Sequence, residues 1–167
     1  LLVEDSIRFY SSVLPNLYKF VLRQSQEFAT EALNEHQRTL RMRGRPKIVL
    51  ARSYEEAMEL YDKYEHNMLG VISDARFPHE GVNDPEAGVT FLREIRRRDP
   101  FIPLILQSAE ESNRRYVDEL GAVFIDKNSK KMNIDLREAV SDNFGFGDFI
   151  FRDPHTPVSY THLRAHE

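Results

Sequence analysis

The sequence predicts an α/β fold: a five-stranded parallel sheet with helices on both faces. Three observations predict it. Short apolar runs alternate with amphipathic stretches through residues 1 to 143, each run is only long enough for one strand, and the runs end on polar residues. Parallel strands need a helical crossover of fixed hand, so every helix is placed over a face of the sheet.

The first strand is "LLV", residues 1 to 3, closed by Glu4 and Asp5. A long helical stretch follows from Ser6 to Arg43, with Ile7, Tyr10, Leu14, Leu17, Val21 and Phe28 mostly three or four apart. Pro15 interrupts it and predicts a kink, or a helix that restarts with the proline in its first turn. "RGRP" at 43 to 46 is a turn signal, and "KIVLA" at 47 to 51 is the second strand. Ser53 caps the next helix, with Glu56 at the capping-box position. The third strand lies in "LGVISDARFP", residues 69 to 78, and ends on Asp74. Residues 78 to 88, rich in Pro, Gly, Asn and Asp, are expected to form an exposed loop. "VTFLREIRRRD" is the third helix, "IPLILQ" the fourth strand, "AEESNRRYVDEL" a fourth helix ending at Gly121, and "AVFID" the fifth strand. A fifth helix runs from Asn133 to Asn143.

Composition narrows the function. Hydrophobic residues at 41% and charged residues at 30% describe a globular chain, and 167 residues suit one domain with a core. A net charge of −4 opposes a nucleic-acid-binding role, and the run "REIRRRD" is an ordinary cationic helix end. No apolar run approaches the roughly 20 residues of a membrane span. The absence of cysteine removes disulfides, thiolate zinc sites and cysteine nucleophiles, and it suits the cytoplasm. The six histidines show no close metal-ligand spacing.

The strand ends carry the chemistry. In an open parallel sheet all carboxyl ends lie along one edge, where such sheets bind ligands. That edge collects Glu4 and Asp5, Asp74, Ser108 and Lys127 from four strands. Each residue alone has an ordinary reading: the acids as helix starts, Ser108 as an N-cap, Lys127 as a solvated lysine. Together they form a site. Three crowded carboxylates need a compensating cation, and an all-oxygen ligand set suits Mg²⁺. A carboxylate beside Mg²⁺ and an ammonium can accept a phosphoryl group, which makes Asp74 the candidate acceptor.

"LLVEDS" with paired acids, "VISDARFP" with Asp then Pro four later, "ILQSAE" with hydroxyl then alanine, and "VFIDK" with an aromatic three before the lysine resemble the response-regulator receiver domains of two-component signalling. The resemblance covers residues 1 to 143 and implies a doubly wound, flavodoxin-like sheet of order 2-1-3-4-5; the extended first helix is longer than in that family. It implies Asp74 as phospho-acceptor, and Asp5, Asp74 and the Arg76 backbone carbonyl as Mg²⁺ ligands, with Glu4 binding the metal through water. Ser108 and Lys127 would contact the phosphoryl group, and Ser108 with Phe124 would form the switch. The implied partners are a sensor histidine kinase and a downstream output domain or protein; the domain is itself phosphorylated rather than an enzyme acting on others. Asn128 stands where the family has a proline after the lysine, and Phe124 where it often has tyrosine.

Two other readings share the fold: a pseudo-receiver interaction module, and a phosphotransferase of the haloacid-dehalogenase type. The latter uses a second Asp two residues after the first, and position 76 is Arg. A dinucleotide-binding reading lacks the GxGxxG after the first strand. The long first helix carries Phe20, Val21, Phe28, Leu33 and Leu40 past one small sheet, so a homodimer or a neighbouring domain is expected to cover its far end. The chain reads as a fragment whose receiver domain is cut at its N-terminus. Residues 144 to 157 read as a linker or the start of a next domain, and 158 to 167 as a non-native tail.

Overall fold

A computed structural model describes residues 1–30, 35, 46–144, 149–152 and 160–163, with the side chains of 27–30, 149–152 and 160–163 left aside. Its centre is a five-stranded parallel sheet of β1 (Leu2–Val3), β2 (Leu50–Ala51), β3 (Val71–Asp74), β6 (Leu104–Ser108) and β7 (Ala122–Asp126). Its order is β2-β1-β3-β6-β7. The register sets Val3 beside Ala51 and Ser73, Asp74 beside Gln107, and Ser108 beside Asp126, so the strand ends align along one edge.

Helices cover both faces. On one, α1 (Ile7–Thr30) and α5 (Met132–Asn143) bury Val13, Leu17, Leu136 and Val140 against Leu2, Ile72, Ile105 and Ile125. On the other, α2 (Tyr54–Tyr64) and α3 (Ala87–Arg98) bury Tyr61, Phe91, Leu92 and Ile95 against Val3, Val71 and Leu106. Alternate residues of each strand feed alternate cores, which is why the strands read as continuous apolar runs. No helix among the described residues is long and apolar enough to cross a membrane.

Several expectations need correction. α1 runs unbroken through Pro15, so the helix does not restart there. Pro15 and Ser11, whose carbonyl loses its amide partner, both lie on the exposed face where water can serve it. Ile7 is 66% exposed and belongs to no core face; Val13, Leu17 and Val21 form the buried stripe. The region 31–34 and 36–45, including Leu33, Leu40 and most of the turn signal at 43–46, lies outside the described residues.

The expected loop after Asp74 contains a hairpin, β4 (Phe77–His79) with β5 (Val82–Asp84). Its two-residue turn, Glu80 at φ 52° and Gly81 at φ 77°, has the doubly positive φ that matches the twist of paired strands. His79 stacks on Tyr54 at 4.1 Å and the Glu80 amide donates to Glu55 at 2.7 Å, docking the hairpin on α2. Pro85 and Glu86 are exposed as expected, whereas Ala87 and Gly88, the end of that expected loop, are buried in the first turn of α3.

The fourth connection is a 3₁₀ turn at Glu111–Tyr116 followed by a single helical turn α4 (Val117–Leu120), rather than one continuous α-helix. Gly121, at φ 56°, closes it in the left-handed conformation expected of a C-cap glycine. The arginines of the "REIRRRD" run are engaged within the fold: Arg93 with Glu119, Arg96 with the Leu120 carbonyl, Arg97 with Glu94, and Arg98 with Asp62 and Glu65. Ser53 caps α2 as expected, accepting from the Glu56 amide at 3.2 Å, while Glu56 reaches back to the Arg52 amide at 2.7 Å. Beyond α5, β8 (Phe149–Arg152) pairs antiparallel with β9 (Tyr160–Leu163).

Candidate functional site

Four strand ends meet at the carboxyl edge of the sheet. Glu4 and Asp5 follow β1, Asp74 ends β3, Ser108 ends β6 and Lys127 follows β7. Glu4, Asp5 and Asp74 each offer a carboxylate oxygen within 4.8 Å of the others. Lys127 donates to Glu4 Oε2 at 2.7 Å and to Asp74 Oδ2 at 2.8 Å, linking residues 123 and 53 positions apart in the chain. Glu4 is 2% exposed, Asp74 is 8% exposed and the Lys127 side chain 5%, so this is a buried charge cluster.

The remaining bonds fix its geometry. Asp74 Oδ1 accepts from the Ala75 amide at 2.8 Å, and Glu4 Oε1 accepts from the Ser6 amide at 3.1 Å. The Lys127 ammonium lies 3.9 Å from the centre of the Phe9 ring, a cation–π contact in a desolvated setting. Phe9 comes from the first turn of α1 and sits over the ammonium. Arg76 lies between β3 and β4, its guanidinium 2.6 Å from Glu110 across the rim. Phe124 is half-buried on the α2–α3 side of the sheet, with the Arg114 guanidinium 4.5 Å from its ring centre.

Three carboxylates surround one ammonium, and burial raises the pKa of two of them. Burial, with the Asp74 charge behind it, pushes the Glu4 carboxyl up to about 7 despite its bond to Lys127. Burial also raises Asp74, against the opposing pull of Lys127. The cluster therefore holds a proton near neutrality or takes a cation, and its oxygen ligands suit a hard divalent ion.

A pH dependence follows. Glu4 binds its proton more tightly folded than unfolded, so its stabilising contribution is complete below about 4.5 and is lost as pH rises through about 7. That shift corresponds to about 3 kcal/mol. A divalent ion held by the cluster would compete with this proton, so Mg²⁺ is expected to raise the melting temperature more at pH 8 than at pH 6. Thermal melts with and without Mg²⁺ at the two values check it; an equal or larger increase at pH 6 refutes it.

The sequence reading did not find four residues that shape the site. Phe9 looked like an ordinary helix residue. Gly88 lay within an apparent loop, yet a Cβ there would meet the Asp74 carbonyl oxygen at 1.9 Å, and its amide donates to the Ala75 carbonyl at 3.0 Å. Asn113, 8% exposed, donates to Ser108 Oγ at 2.9 Å. Gln107, 1% exposed and paired in register with Asp74, has a buried side-chain nitrogen without a hydrogen-bond partner. A glutamine inside an otherwise apolar strand was the available signal for the last.

The position after Lys127 is held without proline. Asn128 donates its side chain to the Ala109 carbonyl at 2.8 Å and its amide to Asp126 at 2.8 Å, tying the loop after β7 to the loop after β6. Comparison with protein-family models, curated proteins and solved structures found no match to this chain.

Proposed function

We propose that the chain is a phospho-accepting receiver domain of a two-component phosphorelay, of flavodoxin-like, doubly wound topology. One observation carries the reading: Lys127 spans Glu4 and Asp74 at 2.7 and 2.8 Å while Asp5 completes an acid triad around them. A structural ion pair needs one acid for one base; the surplus acids supply oxygen ligands for a cation.

In this reading Asp5, Asp74 and the Arg76 carbonyl would hold Mg²⁺, with Glu4 acting through water. Once bound, the ion would neutralise charge on the phosphoryl oxygens. Asp74 Oδ attacks the phosphorus of a phosphohistidine on a sensor kinase; the P–N bond breaks as the O–P bond forms, and the imidazole nitrogen recovers a proton from water. Lys127 exchanges a carboxylate for a phosphoryl oxygen, and Ser108 donates to another. Phe124 repacks with Ser108, changing the surface offered to an output partner in the cytoplasm. Homodimerisation through α1 belongs to the same proposal.

The test is incubation with Mg²⁺ and acetyl phosphate followed by intact mass. One added phosphoryl group is expected, absent from Asp74→Asn and without Mg²⁺. A folded protein that gains no mass points instead to a pseudo-receiver interaction module. Sustained phosphate release from phosphate esters points to a haloacid-dehalogenase-type phosphotransferase.

A further inference from the structure

We infer that Asn113 is a positioning residue that commits the Ser108 hydroxyl to donating, and so tunes the site for a ligand made only of acceptor oxygens. The inference rests on the receiver reading above and adds a residue and a polarity to it.

Ser108 ends β6 and is 3% exposed. Its Oγ accepts two hydrogen bonds, from the Glu110 amide at 3.0 Å and from Asn113 Nδ2 at 2.9 Å. A hydroxyl has two lone pairs and one hydrogen. With both lone pairs engaged, only the O–H is left to offer. The 3₁₀ turn brings Asn113 back onto Ser108, and the Asn113 amide secures that turn by donating to the Glu110 carbonyl at 3.1 Å. Asn113 is itself buried, so its amide does not trade this bond freely for water. A phosphoryl group presents acceptors alone and matches a fixed donor. A ligand group that must donate finds no acceptor at Ser108.

The experiment measures initial rates of phosphoryl uptake from acetyl phosphate with Mg²⁺, by intact mass, on the full chain. Asn113→Asp keeps the shape but replaces the donor by a carboxylate. The carboxylate accepts the Ser108 O–H hydrogen bond without removing the proton, so Asn113→Asp is expected to slow uptake about tenfold, and Asn113→Ala about threefold, the scale of one misdirected or one missing hydrogen bond. In a Ser108→Ala background Asn113→Asp is expected to change the rate less than about twofold, because its effect passes through the hydroxyl. Thermal melts confirm that each variant is folded. Equal rates in wild type and Asn113→Asp, faster uptake in Asn113→Ala, or an undiminished effect in the Ser108→Ala background overturns the role while leaving the receiver reading intact. A wild-type protein that takes up no phosphoryl group overturns both.

Discussion

Lys127→Met is expected to destabilise the metal-free protein by about 3–5 kcal/mol at neutral pH, the range for removing one partner of a buried ion pair. The ammonium satisfies Glu4 and Asp74 at once, and both acids are buried. Methionine keeps most of the side-chain volume and its contact with Phe9, so the loss isolates charge from packing. The melting temperature should fall by about 10 °C or more. The deficit should shrink at pH 5, where Glu4 carries a proton, and in Mg²⁺, which can take the place of the ammonium. A melting temperature within about 2 °C of wild type at neutral pH, measured by thermal unfolding, would show that the cluster is solvated and the charge argument wrong. On the receiver reading proposed above, phosphoryl uptake should be lost even where Mg²⁺ restores the fold, because Lys127 would no longer be there to contact a phosphoryl oxygen.

The polar strand ends were legible because parallel topology turns sequence position into spatial position. Once five apolar runs are strands of one sheet, Glu4, Asp5, Asp74, Ser108 and Lys127 must share an edge, whatever the helices do. What fills the space around them was less legible. The Glu80-Gly81 hairpin lacks the Asn-Gly or Asp-Gly signature, and Pro78 within β4 argues against a strand except at an edge. The turn at Glu111–Tyr116 becomes 3₁₀ because Asn113 and the Glu110 amide both bond to Ser108, a tertiary demand that helix propensity in "EESNRRY" does not reveal. The face of α1 was misassigned at Ile7, which is exposed at the start of the helix, while Phe9, Val13, Leu17 and Val21 form the inward stripe.

Gly88→Ala is expected to cost about 3 kcal/mol and to weaken the site more than the fold. The added Cβ would sit 1.9 Å from the Asp74 carbonyl oxygen and 2.9 Å from both the Asp74 carbonyl carbon and Ala75 Cα. These are backbone atoms of a buried strand, so α3 must retreat from the end of β3. That retreat strains the Gly88 amide to Ala75 carbonyl bond at 3.0 Å and shifts the residue whose carboxylate meets Lys127. Gly70 provides the contrast: a Cβ there meets the Phe144 ring at 2.5 Å, but the obstruction is the far end of a side chain that can turn aside. Gly70→Ala should therefore lower the melting temperature less than Gly88→Ala and leave the Mg²⁺-induced increase unchanged. Gly88→Ala should diminish that increase in thermal melts at pH 8. Equal losses in the two variants, or an intact Mg²⁺ response in Gly88→Ala, would mean that the close seat of α3 on β3 does not hold Asp74 in place.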